Sequence, residues 1–147
     1  MGSRDADIGF TFFHPTTVRA VLAALTPAGW SAEESPGYVG YLINDAEDLY
    51  DWSAGTPELL DEVLAELDAT AHLPYVVGLN VYEPQARTGG SLLFRPGRTE
   101  VSFSPVIDRR RVPAAPEFTD LAWYLHALVP GLVTAGLKGY EAHEIRY

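Results

Sequence analysis

The sequence predicts one α+β domain, in which a mostly antiparallel sheet of about six or seven strands carries three helices. The chain has 147 residues, enough for a single domain with its own core. Apolar residues make up 47% of it and aromatic residues 12%, which is the composition of a folding chain. Segments with strand and helix patterns follow the order β-α-β-β-α-β-β-β-α-β. That order has too many consecutive strands for a doubly wound parallel sheet.

The first strand and the first helix are predicted from side-chain patterns. Residues 8–13 are rich in β-branched and aromatic types, which favour a strand. Thr16 or Thr17 then caps a helix that reaches about Leu25, because apolar residues recur there at helical spacing. Residues 1–6 precede this strand and are expected to be disordered or derived from a tag.

Two strands and an acidic connection come next. Residues 30–34 and 38–43 are predicted to form a hairpin across residues 35–37, which contain serine, proline and glycine. Residues 44–55 are polar and acidic, so they are expected to form a loop that carries a few large apolar side chains.

The second helix has the clearest signals. Thr56, Pro57 and Glu58 supply a capping hydroxyl, a proline for the first turn and an acid for the positive end of the helix. The helix is expected to reach about Ala69, with two segregated sides. Its apolar side comprises Leu59, Leu60, Val63, Leu64 and Leu67. Its acidic side comprises Glu58, Asp61, Glu62, Glu66 and Asp68.

The next segments are predicted as strands. Residues 75–82 form one strand, and residues 91–95 and 99–104 form a hairpin. Pro96 and Gly97 occupy the central positions of the hairpin turn, a pattern typical of type II. In the second strand of this hairpin, serines alternate with apolar residues, which indicates one wet face and one buried face.

The C-terminal part is expected to contain a loop, a helix and a closing strand. Residues 108–116 form the loop, and their three consecutive arginines are expected to be a solvated tip. The alternatives are that they bind a phosphate or fold against the acidic half of the chain as an intramolecular counter-charge. Residues 117–129 form the third helix, which Pro130 and Gly131 end. Residues 132–139 are ambiguous between helix and turn, and residues 140–147 form the closing strand.

Composition excludes several classes of function. The chain has no cysteine, so disulfides and thiolate metal sites are excluded. It shows no signal-peptide pattern and no apolar run near the roughly 20 residues that span a bilayer. We therefore expect a cytoplasmic protein with no membrane partner. The net charge of −10 also argues against nucleic acid as a partner, since phosphate binding requires a cationic surface.

No catalytic or metal-binding motif is complete. The segment from Gly131 to Lys138 lacks the lysine that follows the second glycine of a phosphate-binding loop. No Gly-x-Ser-x-Gly sequence occurs, and no two histidines have metal-ligand spacing. A calcium loop that starts at Asp45 would need glycine and glutamate where Tyr50 and Thr56 stand. We therefore predict no cofactor, no metal and no catalytic residue, and we expect a protein that is not an enzyme.

Charge is distributed very unevenly along the chain. Between Arg19 and Arg87 there is no lysine or arginine, while there are twelve carboxylates. Such a segment projects a negative field into solvent. We predict that residues of the 44–55 loop and of the second helix form one partner-binding surface. Its residues are Asp45, Glu47, Asp48, Tyr50, Asp51, Trp52, Glu58, Asp61, Glu62 and Glu66.

This surface predicts a basic protein partner. Interfaces favour tyrosine and tryptophan as anchors, and an acidic field raises the association rate with a cationic protein. Small bacterial immunity proteins neutralise basic nuclease toxins in this way. The chain resembles them in size, charge and expected compartment, without a shared motif. The favoured hypothesis is therefore an acidic protein-binding module, of the immunity or antitoxin type, that inhibits a cationic toxin or nuclease.

Two other functions fit the same sequence. One is a small-ligand or regulatory α+β domain with an aromatic-lined pocket, since aromatic residues are plentiful. The other is a small hydrolase that uses clustered carboxylates. A deep pocket would favour the first, and an exposed acidic patch around Trp52 would favour protein binding. The oligomeric state is left open.

Overall fold

A computed structural model describes residues 4–34, 37–45 and 49–146. The predicted α+β class and the order of its elements are confirmed. The strands are β1 (Arg4–Phe12), β2 (Glu33–Glu34), β3 (Tyr38–Asn44), β4 (Trp52–Gly55), β5 (Val76–Glu83), β6 (Thr88–Phe94), β7 (Glu100–Ile107), β8 (Arg111–Val112), β9 (Ala115–Thr119) and β10 (Leu137–Arg146). The helices are α1 (Val18–Leu25), α2 (Leu60–Leu67) and α3 (Leu121–Thr134). Short 3-10 turns occupy Thr26–Ala28, Pro57–Leu59 and Thr70–His72.

Eight strands form one antiparallel sheet. Seven of them are hydrogen-bonded in the order β10-β1-β7-β6-β5-β3-β2, and β4 pairs with β3. Tyr41 and Leu42 each pair with both β5 and β4. Because a strand has one neighbour on each side at a given residue, β4 lies on the side of β3 that faces away from β5. β8 and β9 form a separate two-stranded sheet.

The two faces of the sheet have different roles. Side chains alternate between the faces along each strand. On the helix face, a cross-strand row consists of Ile8, Phe103, Leu92 and Leu79, all buried in the core. The three helices complete this core with buried side chains that include Val21, Leu67 and Leu128. The opposite face, here called the open face, carries a row that consists of Leu42, Gly78, Leu93, Ser102 and Gly9.

The third helix starts later and ends later than the sequence predicts. Residues 117–119 belong to β9 instead, and the side chain of Asp120 caps α3 by accepting a hydrogen bond from Trp123 N at 3.2 Å. Pro130 lies inside α3, although it removes one helical hydrogen bond. Leu128 and Leu132 are buried on either side of it, so tertiary packing overrides the local preference.

The loop predicted at residues 44–55 contains a strand, since its last four residues form β4. In the hairpin that precedes it, Glu33 and Glu34 are the described residues of the first strand that pair with β3, whereas Ser31 forms an isolated bridge with Tyr82 of β5. Residues 35 and 36 of the predicted turn lie outside the described residues. β1 begins at Arg4, within the segment 1–6 that the sequence placed outside the folded part. Residues 1–3 lie outside the described residues.

A buried arginine fixes the hairpin between β6 and β7. The turn forms as predicted, with Gly97 at φ +88° and Arg98 N donating to Arg95 O at 2.9 Å. Arg98 itself has φ +58° and is 3% exposed. Its guanidinium donates to the carbonyl oxygens of His72, Tyr75, Phe94 and Arg95. Arg98 therefore joins the hairpin to the segment that follows α2.

Candidate functional site

The end of the 44–55 segment exposes large apolar side chains. Leu49, Tyr50 and Trp52 are 62%, 44% and 41% exposed. Tyr50 has φ +50°, an uncommon backbone conformation for a residue other than glycine. Its N–H donates to Oδ1 of Asn44, a buried side chain at the end of β3, at 2.9 Å. This bond ties the segment that carries the three side chains to the sheet.

Trp52 reaches across the open face. It pairs with Leu42, which in turn pairs with Gly78 of β5. A Cβ placed on Gly78 would lie 2.9 Å from Trp52 Cη2 and 2.9 Å from Leu93 Cδ2. The indole therefore extends over β3 and ends above Gly78. The Leu42 side chain beneath it is fully buried. Trp52 is thus anchored by packing while part of its ring faces solvent.

Exposed carboxylates stand beside these side chains. Asp51 lies between Tyr50 and Trp52, and Asp45 follows the Asn44 that bonds Tyr50. Both carboxylates are exposed. We call Asp45, Leu49, Tyr50, Asp51 and Trp52 the acidic aromatic surface. Glu47 and Asp48, which the sequence assigned to the same site, lie outside the described residues.

The carboxylates of α2 lie on the other side of the sheet. A Cβ placed on Gly55 of β4 would lie 3.7 Å from Tyr41 Cε1 and 3.9 Å from Val63 Cγ2 of α2. Because side chains alternate along β4, Trp52 points to the face opposite α2. The described loop residues are therefore exposed on the segment that leads into β4, whereas α2 packs on the face opposite Trp52.

Two of the predicted helix carboxylates have basic neighbours. Asp61 Oδ1 lies 2.7 Å from Nη1 of Arg19, and Glu66 Oε1 lies 2.8 Å from Nε2 of His72. Both contacts are at the surface, where such pairs contribute little to stability. Glu62 is exposed and makes no ion pair within the described residues.

The start of the second helix differs from the predicted cap. Thr56 makes no capping bond to the helix backbone. Its hydroxyl instead bonds Glu58, and this hydrogen bond lowers the pKa of the exposed Glu58 carboxyl below its ordinary value. Glu58 therefore keeps its charge to lower pH than an ordinary glutamate.

One carboxylate of the acidic side has a structural role. Asp68 directly follows α2, and its side chain accepts hydrogen bonds from the backbone N–H groups of Val18 and Arg19, at 2.7 and 3.1 Å. N–H groups at the first turn of α1 have no acceptor within the helix. The hydroxyl of Thr17 accepts a hydrogen bond from a third such group, Ala20 N. Asp68 thus docks α2 against α1.

Sequence reasoning missed a polar row on the open face. Asn80, Ser91 and Ser104 are cross-strand neighbours on β5, β6 and β7. Ser91 Oγ donates to Asn80 Oδ1 at 2.7 Å, and Asn80 Nδ2 donates to Glu34 Oε2 at 3.1 Å. Ser104 Oγ donates to Asp7 Oδ1 at 3.0 Å. Glu34 is buried, although the sequence gave it no role, and only the register of the strands reveals the row.

A shallow groove lies on the open face over β10, β1 and β7. Its volume is about 580 Å³. Three carboxylates, two cationic side chains and two hydroxyls line it: Asp7, Glu100, Glu141, Arg95, Lys138, Thr11 and Ser102. Two aromatic residues, Phe10 and Tyr140, also line the groove. The groove is polar and open, unlike a typical small-molecule pocket, which is mostly apolar.

Two of the three consecutive arginines, Arg109 and Arg110, pack against the domain, whereas a solvated tip was predicted for the whole run. Arg109 Nη1 donates to Thr119 Oγ1 at 2.8 Å and lies 3.9 Å from Glu144 Oε2. Arg110 stacks on the ring of Trp123, 4.5 Å from its centroid. Arg109 thus lies near a carboxylate of β10 and not near one of the acidic segment between Arg19 and Arg87, and Arg111 is the exposed member of the run.

Neither similarity to known proteins nor metal-ligand geometry assigns a function to the candidate site. No model of a protein family, no curated protein and no solved structure matches the chain. In the residues that the structure describes, no group of three or more histidine, aspartate or glutamate side chains is arranged to hold a metal ion. The helices of the described ranges are all too short or too polar to cross a membrane.

Proposed function

We propose that this protein is an acidic protein-binding module that engages a basic protein, of the immunity or antitoxin type. The observation that carries the proposal is the exposure of Leu49, Tyr50 and Trp52 within one short segment of the chain, with the exposed Asp51 between Tyr50 and Trp52. Isolated exposed apolar residues are ordinary, but a contiguous group rimmed by charges marks an interaction site.

The anchoring of Trp52 favours tight binding. Binding costs free energy when mobile side chains become ordered. The Trp52 ring already packs against Gly78 and Leu93, so little further ordering is needed when a partner covers its exposed part. Partly buried tryptophan and tyrosine are the residue types that dominate interface energies. We therefore assign Trp52 and Tyr50 the role of anchors.

The charge of the chain supports a cationic partner. The net charge is −10, and the segment between Arg19 and Arg87 holds no base. The α2 carboxylates contribute to this field, with Glu62 exposed and the pKa of Glu58 lowered. A field of this sign raises the association rate with a basic protein and disfavours acidic competitors.

The groove over β10, β1 and β7 supports the small-ligand alternative less well. Its lining combines exposed charges of both signs and few apolar groups. A small ligand would leave most of these groups in water, where their electrostatic contribution is weak. The protein-binding function is therefore the better-supported proposal.

A differential capture experiment tests the proposal. The wild-type protein and a Trp52→Ala variant are immobilised and exposed to lysate from the native host. Tyr140→Ala is the matched control, because Tyr140 is another half-exposed aromatic residue and lies on β10. We expect a protein of net positive charge that the wild type and the control retain and that Trp52→Ala loses. Equal retention by all three baits, or selective retention of acidic proteins, would contradict the proposal.

A further inference from the structure

We infer that the basic partner binds by adding an extended strand to the outer edge of β4, with apolar side chains toward Trp52 and basic side chains toward α2. The inference rests on the proposed function and specifies how the partner is held. It follows from the position of β4, from the side chains along its edge and from the two faces that it separates.

β4 has an edge with no strand beside it among the described residues. Its partner β3 lies on one side, and within the part of the chain that the structure describes, no backbone hydrogen bond outside that pairing involves residues 52–55. In an antiparallel pair, alternate residues direct their N–H and C=O groups away from the partner strand. Half of the backbone groups of β4 therefore point outward. Such an edge is a template for another strand.

The side chains of β4 leave this edge accessible. Ser53 and Ala54 are small and exposed, and Gly55 has no side chain. None of the four residues is a proline or carries a charge, which are the devices that protect sheet edges from pairing. The opposite edge of the sheet is different, because β10 carries Lys138, Glu141, His143, Glu144 and Arg146. The sheet therefore has one protected edge and one accessible edge.

The two halves of the predicted binding surface lie on opposite faces at this edge. Trp52 points to the open face, whereas Gly55 faces Val63 of α2 on the helix face. An added strand would also alternate its side chains between these faces. One set would contact Trp52, and the other would point to the face on which α2 packs, which carries Glu62 on α2 and Glu58 in the 3-10 turn before it. A strand of alternating apolar and basic residues therefore matches both halves at once.

The test uses synthetic peptides with blocked ends. The probe is an eight-residue peptide of alternating lysine and valine. One control has the same composition in two blocks, four lysines followed by four valines, and another is the alternating peptide methylated at every backbone nitrogen. Affinity is measured by titration, and amide hydrogen exchange of residues 52–55 is measured in the free and bound protein. Trp52→Ala and Glu62→Gln are compared with the wild type, and Glu141→Gln on β10 is the charge control.

We expect the alternating peptide to bind about tenfold more tightly than either control, since only it combines backbone pairing with two-faced complementarity. The outward amides of β4 should become protected in the complex. Equal affinities for the three peptides, no detectable binding of the alternating peptide, or unprotected β4 amides would each overturn strand addition.

The same measurements separate this inference from the proposed function. If Trp52→Ala and Glu62→Gln weaken binding while methylation has no effect and the β4 amides stay unprotected, the surface binds a basic partner without strand addition. If the alternating peptide protects β4 but its affinity is unchanged by Trp52→Ala and Glu62→Gln, strand addition occurs, but neither Trp52 nor the α2 carboxylate Glu62 contributes to it.

Discussion

Replacing Arg98 tests how the hairpin between β6 and β7 is held. Its guanidinium donates to four carbonyl oxygens, three through Nη1 and one through Nη2, at 2.8 to 3.2 Å. Burial lowers the pKa of Arg98, while the carboxylate of Asp68 acts in the opposite direction. A hydrogen bond from a charged group contributes about 1.5–3 kcal/mol, but several bonds of one group are not additive, and burying the charge has a cost.

We therefore expect Arg98→Ala to lower the free energy of unfolding by about 3 kcal/mol, since several carbonyls lose their donor. For a chain of this length that corresponds to a fall in Tm of roughly 6–12 °C. Arg98→Lys should lower the free energy of unfolding by about half as much, because a lysine ammonium cannot reproduce all the hydrogen bonds of the planar guanidinium. Arg98→Gly should be about 1 kcal/mol less destabilising than Arg98→Ala, because φ is +58° and only glycine adopts that conformation without strain.

Urea unfolding followed by circular dichroism measures these differences. Both the alanine and the glycine variant lack the guanidinium. The difference between their free energies of unfolding therefore measures the contribution of the backbone conformation alone. A loss below about 1 kcal/mol for Arg98→Ala would refute the account of the buried guanidinium as the link between the hairpin and the segment after α2. Equal stability of the two variants would refute the contribution of the backbone conformation.

Three further predictions concern the elements that carry the candidate site. Gly78→Ala should displace the ring of Trp52 and shift the wavelength of its fluorescence maximum. It should also lower the free energy of unfolding by about 1–2 kcal/mol, as overpacking does. An unchanged fluorescence spectrum would contradict the contact between Trp52 and Gly78. Asp68→Ala should destabilise the protein by about 1–2 kcal/mol, because the backbone N–H groups of two α1 residues lose the carboxylate that accepts their hydrogen bonds. Glu62→Gln is the control and should change the free energy of unfolding by less than about 0.5 kcal/mol in the same urea assay. The folded-state pKa of Glu58 is lowered, so its stabilisation is present above the ordinary value of 4.5 and is lost as pH falls through the folded pKa. Glu58→Gln should therefore make the free energy of unfolding less dependent on pH below 4.5. An unchanged dependence of stability on pH would count against the hydrogen bond between Thr56 and Glu58.

Elements with strong local patterns were predictable from the sequence. α2 has apolar and acidic residues on separate sides, and in the structure Val63, Leu64 and Leu67 are buried as that pattern requires. The turn at Pro96 and Gly97 follows from backbone preferences alone. In these places local propensity and tertiary packing favour the same structure.

Elements that depend on distant partners were not predictable in the same way. β4 has no alternating pattern, and its pairing with β3 alone makes it a strand. Glu117 and Phe118 belong to β9 because that strand pairs with β8, although their neighbours continue into a helix. Pro130 is a strong local stop signal, which the burial of its neighbours on α3 outweighs.

The candidate site was predictable in its residues more than in its geometry. The charge pattern predicts Asp51 and Glu62 for the binding surface, and the residue type of Trp52 predicts an anchor; the structure describes all three as exposed. The contact between Trp52 and Gly78 needs the register of β4, β3 and β5, which the sequence does not specify. Gly78 did carry a signal, because glycine inside a strand often marks the close approach of another group. The placement of Trp52 and α2 on opposite faces also follows from register.

The salt dependence of partner affinity tests the central claim most directly. The captured basic protein is titrated with the wild type and with an Asp51→Asn/Glu62→Gln double variant at rising ionic strength. We predict that the wild-type affinity falls as salt screens the acidic field, and that the double variant binds more weakly at low salt with a shallower dependence. A wild-type affinity that does not change with salt, and that the double variant retains in full, would contradict recognition through the acidic aromatic surface and the α2 carboxylates.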